Sequence, residues 1–438
     1  NPSNLHHSNS SDLGDYPKLR KRLLYENGII QSRPFQKQYI FYPKSLSMHF
    51  AKSFREYLLE SLKDLAPQFD SFQLVPFNDT DKNCAYSIYK NISKAIDDDN
   101  IEDGGAILIL PDHIIERGSV LKNLHDCVKK EYYPKLRFQC VSAAKLQSFL
   151  YSSVDNNSNI IYNVDYKKQR IFSSYINNLL YKFLILNSKW PYALSKGLNY
   201  DIYIGIDAHD YYAGFCFLYK KGEHIVFDYE NVPRQTGTYR NEKIGASTIR
   251  KVLLRNLDRH IPLHAKNPNG IVILRDGRSF GEEEKALEIV IEQLATKGIL
   301  DSRTIKKGVI DVSKQSLFPI RTVRTTNGYS KYSNVAAGKY KALNSKEAFL
   351  FNTGYPFHIA GSSNPLHILQ RYGDTDFKKV LEDIFHQSML AFSAPDKSSS
   401  LPVTLKIVDT LIRSFAHQTS LVDLEQDDKE AFENYKYN

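Results

Sequence analysis

Two short apolar segments of this chain end on carboxylates. Tyr203-Ile-Gly-Ile-Asp207 and Gly270-Ile-Val-Ile-Leu-Arg-Asp276 each read as a strand buried on both faces that closes with an acid. A carboxylate at the rim of such a core is costly to hold charged unless a cation compensates it. Two acids at equivalent positions imply a shared compensator, and a divalent metal ion fits that role. Phosphodiester hydrolysis by two metal ions needs several carboxylates converging on ions about 3.5–4 Å apart. A third acid, Asp409, borders the apolar stripe Leu405, Val408, Ile412 and Phe415, which recurs at helical spacing. Each has an ordinary alternative. Asp207 and Asp276 are also strand-end turn residues, Asp276 in an Asp-Gly pair, and Asp409 is also a boundary residue of its helix.

The elements that must position these acids alternate in type. Strands are expected at 39–42, 71–77, 106–110 and 137–141, with helices at 46–65, 87–97 and 120–130 between them. Strands alternating with helices predict a parallel, doubly wound α/β sheet with ligands beyond the carboxyl ends of the strands. A strong helix follows over 172–187. From Asp201 the pattern changes to three closely spaced strands (201–207, 212–219, 224–229), then helix 246–257, strand 270–274, helix 282–297 and strand 308–312. That order is the order of a ribonuclease H-like core. Residues 1–36 read as a lead-in or linker carrying the basic run Lys18-Leu-Arg-Lys-Arg22, residues 37–168 as the first domain and 169–438 as the second.

The chain has 438 residues, 42% of them hydrophobic and 24% charged, as expected of two or three globular domains. A formal charge of +9 favours an acidic polymer as partner, and aromatic residues at 12% offer faces for unpaired bases. The four cysteines, Cys84, Cys127, Cys140 and Cys216, form no CxxC pair, so neither a zinc site nor a disulfide framework is indicated and the expected compartment is the reducing cytoplasm. No apolar run is long enough for a membrane span, and no membrane partner is expected. Neither GxGxxG nor Walker A occurs, which argues against dinucleotides and ATP hydrolysis. Of the thirteen histidines, His260 and His264 form an HxxxH, but Pro262 between them argues against a shared helical face and hence against a zinc pair.

With these residues in place, the region from Asp201 onward resembles the PIWI domain of prokaryotic Argonaute proteins. The likeness rests on Ile204-Gly-Ile-Asp207, Leu274-Arg-Asp-Gly-Arg278, Gly361-Ser-Ser-Asn-Pro365 and Leu401-Pro-Val-Thr-Leu-Lys-Ile-Val-Asp409, in the family's order. Upstream, Arg137–Val141 and the helix leading to Trp190-Pro191-Tyr192 resemble the MID domain, so the implied architecture is a Rossmann-like MID domain followed by a ribonuclease H-like PIWI domain. The resemblance implies a four-acid catalytic set: Asp207, Asp276 and Asp409, which would hold Mg²⁺ or Mn²⁺, with Glu242 as the second member and Glu230 as its alternative. It further implies a pocket for the 5′ end of a short guide DNA or RNA, formed by Lys122 and Gln139. Gly118 and Leu186 stand where the family often has polar or basic residues, and Arg117 or His113, and Lys182 or Lys189, are the expected substitutes; a 5′-hydroxyl guide then competes with a 5′-phosphate guide. Arg275, Arg278, Arg321 and Arg324 are expected to contact the backbone of the duplex between guide and complementary DNA or RNA target.

The implied activity is guide-directed endonucleolytic cleavage in host defence. The alternatives are a catalytically silent, guide-loaded sensor acting through a partner effector, and a guide-independent ribonuclease H-like or transposase-type nuclease. No segment resembles the PAZ domain, which leaves two expectations: a partner protein, or an N-terminal and PAZ region outside this sequence.

Overall fold

The computed structural model describes residues 16–416 except 31–33, 81–84, 112–118, 134, 188, 192, 210, 233–242, 315–319, 327–330, 358–360 and 391–397. The described residues fall into two compact units, residues 24–191, and residues 192–416 together with 16–23, with the division falling inside the first helix, α1 (Tyr16–Asn27).

In the first unit, β1 (Lys37–Pro43), β2 (Gln73–Phe77), β3 (Gly104–Leu110) and β4 (Leu136–Ser142) form a wholly parallel sheet in the order β2-β1-β3-β4. Alternation along β1 and β3 divides the core in two. Ile40, Tyr42, Ile107 and Ile109 face α2 (Met48–Lys63) and α6 (Gln169–Leu186), whereas Tyr39, Phe41, Ala106 and Leu108 face α3 (Ala85–Asp98) and α4 (Ser119–Tyr132). A short helix α5 (Ala143–Gln147) and the hairpin β5 (Leu150–Val154)–β6 (Ile160–Val164) come before α6. The hairpin was not expected, because its residues are mostly exposed or half-buried and lack a clean apolar face. The domain boundary expected at residue 168 also moves. Phe172, Ile176, Leu180, Phe183 and Leu184 of α6 bury against the first sheet, so α6 belongs with the first unit.

The second unit has an eight-stranded mixed sheet in the order β14-β15-β16-β11-β10-β7-β8-β9. The antiparallel meander β7 (Ile202–His209), β8 (Tyr212–Tyr219) and β9 (His224–Asn231) continues through α7 (Ala246–His264), β10 (Gly270–Asp276), α8 (Glu282–Thr296) and β11 (Lys306–Ser313). β10 lies parallel between β7 and β11. This is the strand order expected of a ribonuclease H-like core. Further segments carry too weak a pattern to be expected from sequence. β12 (Val323–Thr326) and β13 (Lys331–Asn334) pair on their own, and β14 (Lys339–Asn344), exposed along its whole length, joins β15 (Glu347–Phe351) and β16 (Leu366–Gly373) at the sheet edge. The helices α9 (Phe377–Met389) and α10 (Val403–Ala416) complete the unit.

The even-numbered Ile202, Ile204 and Ile206 of β7 pack under α7 and α8. On the opposite face α10 comes unusually close. A Cβ on Gly205 would lie 2.7 Å from the Thr404 carbonyl carbon, and one on Gly214 would lie 2.9 Å from Val408 and Ile412 side chains. These two glycines give α10 the clearance to lie on β7 and β8. α7 runs through Pro262 and ends at His264, where the sequence predicted an end near Leu257. Fully buried Ile261 anchors the final turn, and this packing outweighs the lost helical hydrogen bond. Among the described residues no helix is long and apolar enough to cross a membrane.

Candidate metal centre

Register brings the first two acids together. β10 and β7 run in parallel with Leu274 beside Gly205 and Arg275 beside Ile206, so the next residues along, Asp276 and Asp207, lie side by side on the α10 face. α10, seated on Gly205 and Gly214, adds Asp409. One carboxylate oxygen from each of Asp207, Asp276 and Asp409 lies within 4.8 Å of the others. The turn after Asp276 is held by Gly277, at φ +85°, whose N–H donates to the Val312 carbonyl at 3.0 Å, and by the Ser279 N–H, which donates to Asp311 Oδ1 at 2.9 Å.

Like charges this close at a buried edge disfavour ionisation. Burial first, and the neighbouring Asp276 second, push the Asp207 carboxyl up to about 6. Arg275, the Ala208 N–H (2.8 Å to Asp207 Oδ1) and Lys314 act in the opposite sense without cancelling it. Lys314 at the end of β11 places its Nζ 2.7 Å from Asp276 Oδ2 and 2.9 Å from Asp409 Oδ1. Burial works against its charge, but the two carboxylates outweigh that and raise its pKa. The cluster therefore accommodates a cation, and three carboxylates are the donor set a hard divalent ion takes.

The remaining predicted residues do not all join this cluster. Glu242 lies outside the described residues, and its alternative Glu230 is bound to Lys251 at 3.0 Å and Arg255 at 3.5 Å. Arg275 is a correction. It is 0% exposed, its Nη1 donates to the Ile206 carbonyl at 3.1 Å and lies 3.7 Å from Asp207 Oδ1, and its Nε lies 3.3 Å from the equally buried Glu283. It cannot reach a duplex, because alternation turns it to the face opposite Asp276. Arg278 and Arg321 are exposed, while Arg324 stands on β12 with its side chain outside the described residues. Lys314 and Glu283 escaped sequence reasoning. The parity of Arg275 against Asp276 was an available signal for an inward partner such as Glu283, whereas Lys314 had none, since only the β10–β11 pairing brings it near.

In the first unit, Lys122 lies in α4 after β3, and its side chain and Arg117 are outside the described residues. Gln139 is half-buried on β4, with Nε2 donating to the Cys140 carbonyl at 3.1 Å. Lys182 is exposed on α6. Lys189 is buried, donating to the Pro34 carbonyl at 3.1 Å with its Nζ 4.9 Å from the centre of the Phe35 ring.

No protein-family model matches the chain. It is 24% identical over 178 residues, 40% of its length, to a protein argonaute of Synechococcus elongatus. In fold it is similar to Clostridium butyricum Argonaute bound to a guide DNA and a 19-mer target DNA, with a TM-score of 0.64, 20% identity and 90% of this chain covered. The chain spans 23% of the first protein's length and 50% of the second's. By sequence and by fold, this chain is similar to Argonaute proteins, and its mixed α/β architecture is similar to that of their MID and PIWI domains.

Proposed function

We propose that the chain is a guide-directed endonuclease that cleaves a complementary nucleic-acid strand, in a host-defence role. The observation that carries the reading is the convergence of Asp207, Asp276 and Asp409 within 4.8 Å, two from the ends of adjacent parallel strands and one from the middle of a helix. A nucleic-acid strand is a polyanion, and three bare carboxylates would repel it, so the cluster suits this substrate only with divalent cations between them. Mg²⁺ or Mn²⁺ held by Asp207, Asp276 and Asp409 would supply charge neutralisation and an activated water for in-line phosphodiester hydrolysis.

The chain's own residues do the rest. The Ala208 N–H fixes the Asp207 carboxylate, and the Gly277 turn holds the segment that follows Asp276. Lys314, paired with Asp276 and Asp409 at 2.7 and 2.9 Å, holds the place that a divalent cation on those carboxylates would take. Glu242 completes the acidic set, and Arg278, Arg321 and Arg324 bind the duplex backbone. Lys122, Gln139, Lys182, Arg117 and Lys189 form the region that receives the guide's 5′ end, with Lys189 acting from its buried position through the backbone it braces. Base pairing supplies sequence choice, so the protein reads backbone and duplex shape. The related Clostridium butyricum protein holds a guide DNA and a target DNA, which supports DNA for both strands here.

The test is to incubate the protein with Mn²⁺, a short guide and labelled complementary or scrambled targets, beside an Asp207→Ala/Asp276→Ala variant. Cleavage at one guide-measured position, lost in the variant, is expected. Guide-dependent binding without cutting would show a sensor instead, and cutting without a guide would show an unguided nuclease.

A further inference from the structure

A second set of metal-ligating side chains lies at the other end of the same strands. Tyr219 ends β8 and pairs across the turn with His224, the first residue of β9. The last turn of α7 brings His260 and His264, one helical turn apart, against that hairpin. Because α7 continues through Pro262, both histidines share one helical face, against the expectation drawn from the proline. Ring nitrogens of His224, His260 and His264 all lie within 4.8 Å of one another, and all three residues are half-buried.

The geometry points to a transition-metal site formed by His224, His260 and His264, of the kind that takes Zn²⁺. His224 Nε2 and His260 Nδ1 are 3.2 Å apart. Two imidazole nitrogens on a tetrahedral zinc, each at 2.0–2.1 Å, are separated by about 3.3 Å, so this pair already spans one edge of the coordination tetrahedron. The His224 and His264 rings stack with centroids 3.5 Å apart and an interplanar angle of 21°, so the His264 ring, half-buried on the same helical face as His260, turns out of that stack to direct a nitrogen at the ion held by the other two. The ring of Tyr219, 2% exposed, backs the cluster, with centroids 5.5, 6.1 and 6.0 Å from those of His224, His260 and His264. Half-burial leaves one side open, so a water or an incoming group completes the fourth position.

This site is chemically and spatially separate from the carboxylate cluster. Three imidazoles select a borderline ion such as Zn²⁺, whereas three carboxylates select Mg²⁺ or Mn²⁺. Tyr219 pairs with Ile202 and Gly214 with Asp207, so five residues of strand, about 17 Å, lie between the two ends. A metal ion there ties the start of β9 to the end of α7, the two elements on either side of the segment that carries Glu242.

The test uses the full chain, stripped of metal with a chelator, in the wild type and in an Asp207→Asn/Asp276→Asn background. Zn²⁺ affinity is measured by competition with a chromophoric chelator, and the Co²⁺ form by its visible absorption spectrum. One equivalent of Zn²⁺ bound in both backgrounds is expected, with the intense bands of tetrahedral Co²⁺. His260→Gln and, separately, His224→Asn are expected to weaken Zn²⁺ by more than about 100-fold, beyond the usual effect of altering a residue behind a ligand. Circular dichroism of each variant checks that it folds. Absence of a bound equivalent in the Asp207→Asn/Asp276→Asn background overturns the proposal, as does unchanged affinity in both folded histidine variants.

Discussion

Replacing Asp207 with asparagine is expected to stabilise the metal-free protein while removing its divalent-ion chemistry. Asp207 has its carboxyl raised from 3.8 to about 6, chiefly by burial and then by Asp276. A raised carboxyl favours the folded state most when it is protonated. Its contribution is fully present below the unfolded value near 3.8, is lost as pH rises through about 6, and stays lost at neutral pH. A shift of about two units corresponds to about 3 kcal/mol carried as a cost above pH 6. Asparagine is nearly isosteric with the protonated acid and carries no charge, so Asp207→Asn is expected to gain about 3 kcal/mol at pH 7.5 and close to nothing at pH 4. For a unit of this size that is a rise in Tm of about 6–12 °C at neutral pH. The assay is a pair of thermal melts in EDTA at intervals from pH 4 to 8. The difference between the two proteins should open between pH 4 and 6 and then level off. Adding Mn²⁺ should raise the wild-type Tm and leave the variant's unchanged. An Asp207→Asn protein no more stable than wild type at pH 7.5 would refute the reasoning, because Arg275 and Lys314 would then fully offset the burial of the charge.

Two further outcomes follow from the same site. Lys314→Met removes the ammonium that divalent ions must displace from Asp276 and Asp409, and Mn²⁺ titrations followed by paramagnetic resonance are expected to show about tenfold tighter binding, about 1.4 kcal/mol. The metal-free protein is expected to lose only about 1 kcal/mol, since the Lys314 side chain is 36% exposed and solvent screens its ion pairs; unchanged or weaker Mn²⁺ binding would contradict the role given to Lys314. Arg275→Met leaves Glu283 charged and buried and is expected to cost about 3–5 kcal/mol in urea unfolding, with Arg275→Met/Glu283→Leu recovering most of it; simple additivity of the two single changes would show that the pair is not coupled.

Much of the fold could be read because buried strands alternate strictly. Ala106–Leu110 sends successive residues to two different cores, and Tyr203–Asp207 alternates between a core and the face under α10, so strand identity and the side shared by Gly205 and Asp207 were present in the residue pattern. The same alternation, carried one step further, marks Arg275 as facing away from Asp276; judging it by charge alone sent it to a duplex it cannot reach. Segments without an apolar stripe were silent: β14 is exposed throughout and left no trace of its place at the sheet edge. Proximity to a proline misled at His260 and His264, because helix propensity is local whereas the buried Ile261 that holds the last turn acts through packing.

The amino-acid sequence by itself determined the order of elements, the two apolar strands with their terminal acids, and the likeness to Argonaute proteins, since these depend on residue type and spacing along the chain. Only the tertiary structure decided that Asp207, Asp276 and Asp409 share one site, that Lys314 pairs with two of them and that Arg275 lies beneath Asp207 against Glu283. It alone brought His224 to His260 and His264. Those facts depend on strand register and on the close approach of α10 over Gly205 and Gly214, distances through space between residues far apart in sequence.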